Sequence, residues 1–132
     1  MNIKHLLLVA SLSTLFLGQN ACKDGGTSSE DTNAPVLTIT SPAADEAFLG
    51  EVHIELNVTD ESLHEMSVKV TKDADGSVVF EDAPEVHDET DFDFHHHFTP
   101  AGISGVTAMT LTVTVEDHSA NITTKTVKFT AQ

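Results

Sequence analysis

The chain has 132 residues, with six lysines and no arginine against 21 acidic residues, for a formal net charge of −15 with histidine neutral. A surface this acidic repels phosphate backbones and anionic headgroups, which excludes nucleic acid as a partner, and it attracts cations. Cys22 is the only cysteine, so no disulfide can form within the chain, and stability must come from an apolar core or a bound metal.

In chain order, Lys4 and His5 precede about a dozen mostly apolar residues, 6–17, and Gly18-Gln19-Asn20-Ala21 then leads into Cys22. This is the layout of a secretory signal, and it is too short to span a bilayer. A small residue directly before a lone cysteine resembles the lipobox of bacterial lipoproteins. Gln19 and Asn20 stand where that family usually has leucine and a small residue, and looser boxes of this kind are common in the Bacteroidota. The resemblance implies cleavage before Cys22, acylation of its thiol and anchoring in the outer membrane, facing the periplasm or the cell surface. Lys23 in place of aspartate resembles outer-membrane lipoproteins, and Lys23-Asp24 partly matches a surface-export signal. Cleavage would remove one lysine, Lys4, and no acidic residue, moving the net charge from −15 to −16.

Residues 22–35, from the cysteine through Lys-Asp-Gly-Gly-Thr-Ser-Ser-Glu-Asp-Thr-Asn-Ala-Pro, hold nothing that packs and read as a flexible tether. Residues 36–132 are then one domain of ordinary size.

Within the domain, period-two alternation dominates and no segment has a helical stripe. Residues 36–40 are a predicted first strand, stopped by Ser41-Pro42. Residues 51–58 alternate cleanly, with Val52, Ile54, Leu56 and Val58 inward. Met66, Val68 and Val70 mark a third strand, which Asp73-Ala74-Asp75-Gly76 turns into a fourth over 77–81. The fifth covers 91–98, with Phe92, Phe94 and Phe98 on one face. The sixth, 108–116, points Met109, Leu111, Val113 and Val115 inward, and the last carries Val127, Phe129 and Ala131. Seven short strands separated by turn signals predict an all-β, seven-stranded antiparallel sandwich.

The same residues resemble bacterial immunoglobulin-like and cadherin-like modules. The carriers are Ala34-Pro35-Val36-Leu37-Thr38-Ile39-Thr40-Ser41-Pro42, Asn57-Val58-Thr59-Asp60, and the run from Leu111 to Asn121. Ala120 stands where those modules usually have glycine. The resemblance implies a fold and no particular activity. The acidic motifs of the calcium-binding members are not complete here, and the tryptophan and cysteine pair of antibody domains is absent.

Seven of the eight histidines follow the signal segment: His53, His64, His87, His95, His96, His97 and His118. Neutral imidazole suits zinc, copper and nickel, and nearby carboxylates strengthen such sites. In an antiparallel sandwich the loops after the second, fourth and sixth predicted strands gather at one pole. His64, His87 and His118 should therefore meet there, with Asp60, Asp88 and Asp117 close by. Three nitrogen ligands with an open position is a common zinc or copper arrangement. A second candidate lies on the fifth predicted strand, where His95 and His97 share a face with Asp93 and could chelate one ion, with His53 on the neighbouring second strand. His96 points the other way, among phenylalanines. Met66 and Met109 fit inward alternation and read as core.

No nucleophile elbow, phosphate-binding glycine loop or cysteine–histidine pair is present, so no enzymatic activity is expected. The expectation is a membrane-anchored lipoprotein that binds zinc or copper and buffers it or hands it to a metal transporter or another envelope protein. The competing readings are a structural or adhesive protein-interaction module with incidental histidines, and a pH sensor built from clustered histidines.

Overall fold

The structure, a computed structural model, describes residues 30–132. The segment expected to be a signal peptide, 1–21, the Cys22 expected to be acylated and the first part of the expected tether lie outside the described residues. These contain eight strands and no helix: β1 (Val36–Ser41), β2 (Ala47–Phe48), β3 (Val52–Thr59), β4 (Leu63–Lys72), β5 (Val78–Asp82), β6 (Asp91–Phe98), β7 (Thr107–Asp117) and β8 (Ile122–Ala131).

They form two sheets, one of three strands in the order β1-β3-β6 and one of five in the order β2-β8-β7-β4-β5. This is an immunoglobulin-like sandwich, and the seven expected strands are all present. The eighth is the two-residue β2, too short to show alternation, which runs parallel to β8. It marks where the chain crosses between sheets, just past Pro42, which has no N–H to continue the β1 ladder.

Strict alternation makes the core. β3 buries Val52, Ile54, Leu56 and Val58, and β7 buries Met109, Leu111, Val113 and Val115, all at 3% exposure or less. Their opposite faces carry histidine, glutamate and threonine. Leu37, Leu63, Met66, Val68, Val70, Phe94 and Phe129 complete the packing between the sheets. The Asp73–Gly76 turn closes as expected, with Gly76 at φ 71° and the Lys72 amide donating to Ser77 O at 2.9 Å. A hydrogen bond from Ser77 holds the Asp75 carboxyl below its usual range.

Alternation breaks near the start of β4. Leu63 and Met66 are both buried, yet three residues apart they should face opposite ways. The β4–β7 register shifts between Leu63 and Glu65, so a bulge absorbs the extra residue, and that residue is His64. Bulges re-aim side chains, and this one sits at the end of the sandwich where loops converge.

A candidate metal centre at one pole

The pole is formed by the β3–β4 connection (60–62), the β5–β6 loop (83–90) and the β7–β8 turn (118–121). Leu63 stitches the first two together. Its amide donates to Glu89 O at 2.9 Å, and its carbonyl accepts from the Asp88 amide at 2.9 Å. Val86, 1% exposed, plugs the loop into the core one residue before His87. The His118 amide donates to Ser62 O at 3.1 Å, which ties the β7–β8 turn to the same platform.

Asp117 shapes that turn from beneath. It is 2% exposed; its Oδ1 accepts from the Ser119 and Asn121 amides, both at 2.8 Å, and its Oδ2 accepts from Asn121 Nδ2 at 2.7 Å. Burial pushes this carboxyl up, but the hydrogen bonds from Asn121 and Ser119 outweigh it and hold the pKa below 3.8. Ala120 adopts φ 63°, a left-handed conformation that glycine takes more readily.

On this platform His64, His87 and His118 converge, one from each segment. Ring centroids are 5.2 Å apart for His64–His87 and 4.6 Å for both His64–His118 and His87–His118. His64 Nδ1 and His87 Nδ1 are 3.2 Å apart, and one ligand nitrogen from each of the three rings lies within 4.8 Å of the others. A tetrahedral ion with bonds of about 2.0–2.1 Å needs donors roughly 3.3–3.4 Å apart, so small side-chain rotations close the set. The rings are 36–48% exposed, which leaves a coordination position open to water or a partner ligand. Beside His64 lies a cleft of about 310 Å³, bordered by Met66, Pro84, Glu85 and Val86 among others.

The three aspartates expected nearby divide. Asp88, at φ 64° in the loop, places Oδ1 3.0 Å from His118 Nε2. Its Oδ2 stands 3.7 Å from His87 Nε2, so this one carboxylate lies beside two of the three rings. Asp60 and Asp117 fall instead in a separate group with Asp31. Their carboxylates are turned to backbone amides, Asp60 Oδ1 accepting from Ser62 N at 2.9 Å. Asp31, in the stretch read as tether, is partly buried, and its carbonyl accepts from Asn121 Nδ2 at 3.0 Å.

On the other sheet, β6 pairs with β3 as expected. His97 stands opposite His53 and His95 opposite Glu55. The ligand group that forms there is Glu51, His53 and His97, without His95. Asp93 is engaged elsewhere, accepting from Asn57 Nδ2 at 2.9 Å. His96 packs inward against Phe80, with ring centroids 4.5 Å apart. Met66 and Met109 are buried in the core. The signal that would have separated His97 from His95 was register, which requires knowing which residues of the two strands face each other.

No family model matches the chain, and no curated protein matches it. Among solved structures, CopC from Methylosinus trichosporium OB3b is similar at a TM-score of 0.52 and 15% identity, covering 74% of this chain and 93% of that one. An engineered protein is similar at a TM-score of 0.54 and 21% identity over 74% of this chain, which spans only 20% of that longer chain. At these identities the shared property is the β-sandwich fold.

Proposed function

We propose that the protein is a lipid-anchored envelope protein whose sandwich binds a transition-metal ion, zinc or copper, through His64, His87 and His118. The role is binding rather than catalysis: the ion is buffered or passed to an envelope partner through the open coordination position. The observation that carries this reading is the meeting of three imidazoles from three separate chain segments at one pole. One of them sits at a bulge, and Asp88 places its carboxylate beside the other two. Neutral imidazole favours borderline ions such as Zn²⁺ and Cu²⁺ over the hard cations that an acidic surface alone would collect.

The test is calorimetric titration of Zn²⁺ and Cu²⁺ into the full-length, untagged protein and into a His64→Ala/His87→Ala/His118→Ala variant. Micromolar or tighter binding that the triple substitution removes supports the reading. Binding that the substitution leaves unchanged turns the domain into an interaction module with incidental pole histidines.

A further inference from the structure

The outward face of the three-stranded sheet carries a second meeting of histidines. β3 and β6 run antiparallel with His53 directly opposite His97, and the two rings stack with centroids 4.1 Å apart at 28°. Glu51 lies two residues before His53 and so shares its side of the chain. Its Oε2 sits 3.3 Å from His53 Nε2 and 3.4 Å from His97 Nδ1. All three ligand atoms fall within 4.8 Å of one another.

Several contacts position this group. Glu51 follows Gly50, whose φ of 90° is open to glycine and strained for other residues, and whose amide donates to Gln132 O at 2.8 Å. The His53 carbonyl accepts from Ser41 Oγ at 3.0 Å, and the Phe48 ring stands 6.1 Å from the His53 ring. Two imidazole nitrogens and one carboxylate oxygen form a three-ligand set for a borderline divalent cation, and both nitrogen–oxygen separations match the roughly 3.3–3.4 Å of a tetrahedral ion. The side chains are 43–55% exposed, so further positions remain for water.

This group is remote from the three-histidine pole. His53 lies near the start of β3, and the 60–62 connection that builds the pole follows its end. Seven residues of extended chain at about 3.3 Å each separate them by roughly 20 Å, far beyond the reach of one ion.

We propose that Glu51, His53 and His97 form a second, independent site for Zn²⁺ or Cu²⁺ that clips β3 to β6. The test uses Cu²⁺ titration of the full-length, untagged protein in the His64→Ala/His87→Ala/His118→Ala background, where the pole cannot contribute. Three further variants are compared there: His53→Ala, Glu51→Gln and His95→Ala. One equivalent should remain in the background protein, weaken at least tenfold with His53→Ala, weaken severalfold with Glu51→Gln and stay unchanged with His95→Ala. Loss with His95→Ala and retention with His53→Ala would place the ion on β6 alone and overturn the proposal, as would no binding at all. If the pole variant does not fold, His53→Ala in the otherwise unaltered protein serves instead. It should remove one equivalent there, and an unchanged stoichiometry would overturn the proposal.

Discussion

His118 Nε2 lies 3.0 Å from Asp88 Oδ1, so a carboxylate of the β5–β6 loop stands beside a ring carried by the β7–β8 turn. Carboxylates beside metal-bound imidazoles typically contribute one to two orders of magnitude in affinity, and Asp88 adjoins two of the three pole rings. Asp88→Asn should therefore weaken zinc binding about 10–100-fold, measured by calorimetry. The thermal midpoint of the metal-free protein should hardly move, because the Asp88 side chain is exposed.

Val86 links core packing to the site. It is 1% exposed and anchors the loop that carries His87. Removing two buried methyl groups costs about 2 kcal/mol once the residual cavity is included. Val86→Ala should show that loss in urea unfolding, together with weaker zinc binding as the loop loosens. Val70→Ala, equally buried but at the far end of β4, should destabilise to a similar degree without changing affinity.

Asp117 carries the pH dependence of the turn. Its pKa is lowered in the folded protein, so the ionised form is favoured by folding. That contribution is complete above the unfolded value of 3.8 and fades only as pH falls through the still lower folded value. Asp117→Asn should cost about 2 kcal/mol at neutral pH, since the replacement amide cannot accept all three hydrogen bonds. The difference between wild type and variant should shrink only below pH 4, as followed by denaturant melts at stepped pH.

Metal ligation needs the imidazole lone pair, so ion uptake and protonation compete. Zinc affinity should fall on acidification. Titrations in buffers of different ionisation enthalpy should reveal protons released on binding at mildly acid pH. Affinity independent of pH between 5.5 and 7.5 would point to carboxylate ligands instead.

The strand pattern was readable because alternation is a local property. Val52 to Val58 and Met109 to Val115 declare their inward faces without reference to any neighbour, and they are buried as expected. The meeting of His64, His87 and His118 was legible one step further out, because antiparallel order places alternate loops at the same end. Features that depend on exact register were not. The bulge at His64 shows in sequence only as the odd spacing of Leu63 and Met66. The partnership of His97 with His53 and Glu51, rather than with His95, follows from which residues of β3 and β6 face each other. Asp60 and Asp117 were expected beside the histidines, but nearby amides hold their carboxylates in place. Asp31 read as tether because a polar stretch gives no sign that a single carbonyl will meet Asn121.

The most direct test of the central claim is a nitrogen-15 spectrum of the histidine side chains, recorded before and after one equivalent of Zn²⁺. The account predicts that one ring nitrogen of each of His64, His87 and His118 moves to the metal-bound position at this first equivalent, with His96 unaffected. If none of the three pole rings responds, the pole is not a metal centre and the account fails.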